Sequence, residues 1–512
     1  MGIVQKDALR TTIISYLGLV LGYLNKAFLF LIFLSAEEVG LVNLIITVGL
    51  LFAQLANMGT VYATWRFFPF FRNPERKNYG FLLLNTLVVC FGILFFSVLF
   101  FAFQSKIGSY FSLKSPLFVS YYFWVIPLGI GTVFFMLFEN HMRGLHKNIL
   151  PVFLQDIVVR LVVTLLLIAF GLGYLNFEQF LILHLFAYFI PAIFLCIYLV
   201  KMGELHFSLK SITVPKRFRK ILLSFSSFSY LNTLAALFVI SMDAMMIASI
   251  LGLKQTGVYT TMVYITSAIQ VPYRSMIRVS SPIIARFWKE RNMMDMQSLY
   301  EKSSSVGLLI GLLSFLAVWT TRTELFSFLR AEYSEGIYAL LFLMIGRMVD
   351  MYCGLNGTIF ATSRKYMFDL AFTIFLCAGI FVMNLYLIPI YGITGAAFST
   401  GFIYVFYNFA RSYYIYRVYG LHPFRWSQFK LIGLFVLNLV AFELVSLYFL
   451  RGHHFSPLEN GVLILLKWIV IFVAFLLPIV LLKLENESAS FFQKIVLFVR
   501  SNYRKKGRNK VD

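Results

Sequence analysis

Lys26, Arg160, Arg347 and Lys467, together with Asp156, Asp243 and Asp350, lie inside long apolar runs of a 512-residue chain. A charge carried into hydrocarbon costs at least about 2.5 to 3.5 kcal/mol on insertion scales, so each should face protein or a watery cavity. Fixed cations in such places suit an anion that has to cross. An arginine fork matches a phosphate better than an ammonium does, and its charge persists at any physiological pH. The candidate anion-binding set is therefore Lys26, Arg347 and Arg160, joined by Arg274 and Arg278, which stand four residues apart and share one helical face. The candidate coupling and gating set is Asp243, Asp350 and Asp156.

Each assignment has a plainer counterpart. Asp156 lies one turn before Arg160 and Asp350 three residues after Arg347, so each arginine has a same-face partner within its own helix. Arg274 and Arg278 also suit ordinary anchoring at a membrane face. Lys26 and Asp243 suit either a site that senses an anion or a coupling cation, or a static ion pair. Glu443 and Lys467 are expected to pair between the last two helices. No catalytic residue is assigned. Cys90, Cys196, Cys353 and Cys377 lack metal or redox spacing, so no metal site is assigned either.

The elements that must hold these charges follow from composition. The chain is 60% hydrophobic and 13% charged, with a mean hydropathy of +0.82. That much apolar surface cannot be hidden inside a water-soluble globule, so the expected fold class is an all-α integral membrane protein. About fourteen apolar runs reach bilayer-spanning length. The first six are Thr12 to Leu34, Leu41 to Met58, Tyr79 to Phe103, Leu117 to Leu137, Pro151 to Leu172 and Phe180 to Val200. The next six are Phe228 to Leu251, Val258 to Ile277, Ser303 to Trp319, Ile337 to Ile359, Met367 to Ile388 and Ile393 to Ala410. Leu431 to Leu450 and Val462 to Leu482 complete the set.

With the N-terminus placed inside, 34 of the 44 Lys and Arg fall on inside segments and 6 on outside loops. This asymmetry is a positive-inside signal, and it accounts for the net charge of +22 without nucleic acid. Both termini are expected to be cytoplasmic. The tail from Phe491 to Lys510, with Arg504, Lys505, Lys506, Arg508 and Lys510, reads either as a segment on anionic headgroups or as a solvated tail.

Sliding the chain against itself by 217 residues superposes Gly40 on Gly257, Lys147 on Arg364, Tyr174 on Tyr391 and Lys26 on Asp243. Spans one to six then correspond to spans seven to twelve. Because each unit has an even number of spans, the repeats are parallel. The expected organisation is a six-helix lobe over 1–205, a second over 206–425, two further helices over 426–484, and a basic tail over 485–512. Two such lobes are the architecture of a transporter with a cleft between them.

The stretch Met242-Asp243-Ala244-Met245-Met246-Ile247 through Gly257-Val258-Tyr259 resembles the seventh-helix block of the Wzx-type polysaccharide flippases. Ser35-Ala36-Glu37-Glu38-Val39-Gly40-Leu41-Val42-Asn43 resembles their turn between helices one and two. These flippases belong to the multidrug/oligosaccharidyl-lipid/polysaccharide exporter superfamily. The resemblance implies movement of an undecaprenyl-diphosphate-linked oligosaccharide to the outer leaflet of the bacterial inner membrane, for surface polysaccharides such as lipopolysaccharide O-antigen, with no covalent chemistry. It also implies no cofactor beyond Na+ or H+ as coupling ion. The expected partners are membrane lipid, polysaccharide polymerase and glycosyltransferases.

Three rivals stand beside this reading. A lipid II flippase also has fourteen spans, but its basic–acidic block is not evident around Asn25-Lys26-Ala27. A multidrug antiporter of the same superfamily generally stops at twelve spans. A membrane glycosyltransferase or polymerase would use Glu37 and Glu38, in a loop short enough to be only a turn.

Overall fold

The computed structural model describes residues 3–73, 77–205, 216–365, 367–450, 456–482 and 484. The basic tail lies outside the described residues, as do residues 206–215 of the linker between Lys201 and Lys220. The described chain is helical throughout, with no strand among the described residues.

The long helices are, in order, α1 (Arg10–Phe33), α2 (Ala36–Asn57), α3 (Asn78–Ala102), α4 (Pro116–Gly144), α5 (Ile149–Gly171), α6 (Phe177–Lys201) and α7 (Ser229–Ile250). They continue with α8 (Leu253–Ile269), α9 (Val271–Glu290), α10 (Met293–Thr320), α11 (Ala331–Tyr352), α12 (Met367–Tyr419), α13 (Ser427–Tyr448) and α14 (Leu458–Leu481). Among the described residues eleven are long and apolar enough to cross a membrane, and twelve if α11 and the following turn Asn356–Thr362, bent by 55°, form one span. The protein is thus an all-helical, multi-pass membrane protein.

The fourteen apolar runs fall on these helices, with three departures from simple one-to-one correspondence, one being the tenth run, Ile337 to Ile359, which extends past α11 into Asn356–Thr362. Helix α12 runs 53 residues, more than twice what a bilayer needs, and Gly392 (φ 61, ψ −142) breaks it between the eleventh and twelfth runs. The eighth run, Val258 to Ile277, is not one continuous helix. It resets at Gln270, where α9 begins with Pro272 in its first turn; Pro has no N–H to give an existing helix and fits a new one. Arg274 and Arg278 therefore belong to the amphipathic α9.

The chain divides into two compact units. The first holds Met1–Thr261 with Asn384–Ile393, and the second holds Met262–Met383 with Thr394–Asp512. In the first, α2 is the central helix, buried against α4, α3 and α7. Its start is set by Ser35, whose hydroxyl accepts from the Glu38 N–H while the Glu38 carboxylate accepts from the Ser35 N–H. That reciprocal cap gives Glu38 a structural task and places Glu37 in the same favourable first turn. In the second unit, α10 packs against α11, α13 and α14.

Candidate functional site

Lys26 sits in a π-turn, Asn25–Leu29, that interrupts α1. Single π-turns within helices are frequent at functional positions. The Lys26 ammonium donates to Asn43 Oδ1 at 2.7 Å and lies 4.5 Å from the centre of the Phe30 ring. Asn43 in turn donates from Nδ2 to Thr260 Oγ1 at 3.0 Å. Next to Thr260, the Tyr259 hydroxyl donates to Asp243, which also accepts from Asn384 Nδ2 at 2.7 Å. Asn43, Thr260, Tyr259, Asp243 and Asn384 are all buried.

The network exists because two helices meet without side chains between them. A Cβ on Gly40 would collide with the Leu253 carbonyl oxygen, and one on Gly257 with the Ala36 carbonyl oxygen. Such close helix approach in a membrane is the usual work of small residues. Gly40 and Gly257, Ala36 and Leu253, and Asn43 and Thr260 are each 217 positions apart, so α2 and α8 cross with equivalent positions facing one another.

Arg160 and Asp156 form a second group on the same unit, at 3.2 Å. Asp156 lies in another π-turn, Leu154–Val158, and accepts from Ser15 Oγ at 3.0 Å. The pair packs over α1 at Gly18 and Gly22: a Cβ on Gly18 would strike the Asp156 backbone, and one on Gly22 would come within 2.8 Å of the Arg160 guanidinium. Asn25 Nδ2 donates to the Arg160 carbonyl at 2.9 Å, so this group abuts the π-turn that carries Lys26.

The remaining candidates are in the second unit. Asp350 accepts from Gln270 Nε2 at 2.9 Å, and Gln270 Oε1 accepts from Arg274 at 3.4 Å, so one amide links the two. Arg347 lies over the Tyr404 ring at 5.7 Å. Arg278 is exposed and donates to Ser275 at 3.4 Å. The expected Glu443–Lys467 pair does not form. The short helix Arg322–Ser327 supplies a nearer partner to each, Arg322 forking onto Glu443 at 2.5 and 3.0 Å and Glu324 accepting from Lys467 at 2.6 Å.

Reading charges in apolar runs passed over Asn43, Thr260 and Asn384, which are uncharged, and Arg411. Arg411 is buried in α12, pairs with Asp369 and donates to the Tyr407 hydroxyl at 2.8 Å. Its signal was the Tyr407-Arg411 spacing of four.

Long apolar helices that carry partly buried charged groups, Lys26 and Asp156 among them on π-turns, make an all-helical membrane fold, and solved structures share that fold. The chain is similar to lipid II flippase MurJ in an inward closed conformation, at 12% identity and a TM-score of 0.67, covering 91% of this chain and 98% of that one. It is similar to an inward-facing multidrug resistance MATE family transporter of the MOP superfamily, at 14% identity and 0.62, over 83% and 96%. A MOP superfamily transporter from Pyrococcus furiosus matches at 15% and 0.54, over 86% and 97%. No curated protein matches at a significant level. Residues 4–288 match the polysaccharide biosynthesis protein family, and the chain belongs to that family.

Proposed function

We propose that this protein flips an undecaprenyl-diphosphate-linked oligosaccharide from the cytoplasmic to the outer leaflet of the bacterial inner membrane, for surface polysaccharide assembly. A sugar head with a diphosphate cannot cross about 30 Å of hydrocarbon unaided, because hydroxyls and charge would lose water without compensation. The polyprenyl tail can stay in lipid. What the protein must supply is a cation along the way and a seal that opens when it is occupied.

The observation that carries this reading is the Lys26–Asn43–Thr260 chain at the glycine crossing. A diphosphate offers an ammonium charge-assisted hydrogen bonds about twice as strong as a neutral amide oxygen can. Its arrival draws Lys26 from Asn43 and loosens the crossing of α2 and α8. With both termini cytoplasmic, that crossing lies towards the outer face, so loosening it opens the exit. Asp243 is the coupling group, either meeting Lys26 in the empty state or binding Na+ or H+. Arg160, Arg347, Arg274 and Arg278 are further stations for the headgroup, with Asp156 and Asp350 as their internal counter-charges. Polysaccharide polymerase and glycosyltransferases are the proposed partners, downstream and upstream.

The test is removal of the protein from cells, followed by assays of surface glycan and of precursor orientation. The expected result is lost glycan with precursor stranded on the cytoplasmic leaflet. Normal glycan with raised drug sensitivity would overturn the reading in favour of a drug antiporter.

A further inference from the structure

The first unit contains an apolar cavity of about 380 Å³ whose lining includes none of the charged candidates. Phe52 of α2, Phe100 of α3, and Phe118 and Tyr122 of α4 line it ring on ring, with centres 5.4 to 6.0 Å apart. Met245 and Met246 of α7 add flexible side chains that adapt to an irregular occupant. The Tyr122 hydroxyl donates to the Phe100 carbonyl at 3.1 Å, and the Ser249 hydroxyl to the Met246 carbonyl at 3.0 Å. Backbone thus takes up two of the three hydroxyls in the lining. What remains is a hydrocarbon surface, which holds water poorly and an apolar chain well.

The short helix Gln104–Phe111 borders this cavity through Ile107, Tyr110 and Phe111. Tyr110 is 74% exposed and marks the open side. Lys106 and Lys114 stand four residues before and four after it, and both are exposed. Lys106 shares the helical face of Tyr110. Ser115 Oγ donates to the Ala248 carbonyl at 2.6 Å, and a Cβ on Gly252 would come within 2.7 Å of the Lys114 carbonyl oxygen. These contacts pin the segment after the short helix to the end of α7. Among the described residues neither lysine is paired with a carboxylate.

We propose that this cavity binds the head-proximal isoprene units of a polyprenyl diphosphate, with Lys106 and Lys114 on the diphosphate. The inference rests on the reading of the protein as a flippase for a polyprenyl-linked sugar. With both termini cytoplasmic, the short helix lies on the outer side, so the site receives the lipid whose head has crossed. Cations on that side run against the positive-inside bias, so anchoring does not explain two of them flanking one mouth. At the roughly 30 Å³ that a water occupies, a group about the size of a methylene, the cavity has room for about a dozen such groups. That is one chain of two to three isoprene units, the length of a farnesyl group. A phospholipid brings two chains and a single phosphate, and suits the cavity less well.

The experiment is calorimetric titration of the full-length protein, in phosphatidylcholine nanodiscs, with farnesyl diphosphate, inorganic diphosphate and farnesol. The wild type should bind farnesyl diphosphate more tightly than either part alone. The double variant Lys106→Gln/Lys114→Gln should weaken that binding about tenfold or more, Met245→Trp should abolish it by filling the cavity, and Lys26→Met should leave it unchanged. If Met245→Trp fails to fold, the exposed lysine pair carries the test. Binding lost in Lys26→Met but kept in the lysine and Met245 variants overturns the cavity site and leaves the Lys26 reading standing. Equal competition by phosphatidylglycerol assigns the cavity to phospholipid and overturns the proposal. No binding by the wild type also overturns it, while the flippase reading stands or falls separately on precursor orientation in cells.

Discussion

Gly40 and Gly257 face one another across the α2–α8 crossing so closely that a side chain on either would drive its first carbon into a backbone carbonyl of the partner helix. The collisions are with backbone, which cannot swing away as a flexible side chain would. Gly40→Ala or Gly257→Ala is therefore expected to destabilise the crossing by about 1 to 3 kcal/mol, the usual range for overpacking. The check is thermal unfolding of the purified protein, with Gly433→Ala, where a Cβ meets nothing, as the control. Equal Tm values for all three variants would contradict close packing there.

The Asn43–Thr260 hydrogen bond ties the same crossing with polar groups. Interhelical hydrogen bonds in membranes are worth about 0.6 kcal/mol on average and about 1.7 at most. A double-mutant cycle of Asn43→Ala and Thr260→Val should give a coupling in that range. Additive single effects would show that the bond does not contribute.

The ion pairs of the short helix Arg322–Ser327 make a separate prediction. Lys467 and Glu324 are both buried, and Lys467 also donates to the Thr320 carbonyl at 3.1 Å. Removing one partner strands the other charge, so Lys467→Met is expected to cost about 3 to 5 kcal/mol. Adding Glu324→Gln should recover much of that loss, because the stranded carboxylate is gone. The check is again thermal unfolding. A double variant no more stable than Lys467→Met would contradict the pairing.

The helices themselves were legible because a bilayer demands about twenty apolar residues per crossing and leaves little else to choose. The capping Ser35 and Glu38 were legible as a turn for a local reason: spacing and residue type suffice to specify a capping box. Contacts between helices were not legible in the same way. Apolar runs facing lipid and apolar runs facing protein look alike, so nothing local said that Glu443 would meet Arg322 rather than Lys467. Arg411 was counted with the inside loop charges because hydropathy falls after Ala410, while α12 continues to Tyr419 on a tyrosine-rich stretch whose backbone pattern does not need hydrophobicity. The shift of 217 residues aligned Gly40 with Gly257 as equivalents. That two equivalents also touch is a property of the packing, which an alignment does not contain.

Arg411 gives a further expectation. It is held by Asp369, Tyr407 and the faces of Phe360 and Tyr407, all within the second unit. Arg411→Lys cannot reproduce a planar fork stacked on rings. The variant should unfold at a lower temperature, while glycan export per folded molecule stays unchanged. Reduced export at unchanged stability would instead assign Arg411 to transport.

The most direct test of the account is Lys26→Met in cells that depend on this protein, at matched abundance and matched Tm, with the leaflet orientation of the lipid-linked precursor measured. Loss of the ammonium should leave precursor on the cytoplasmic leaflet and deplete surface glycan. Normal glycan export and normal precursor orientation in that variant would contradict Lys26 as the contact for the diphosphate.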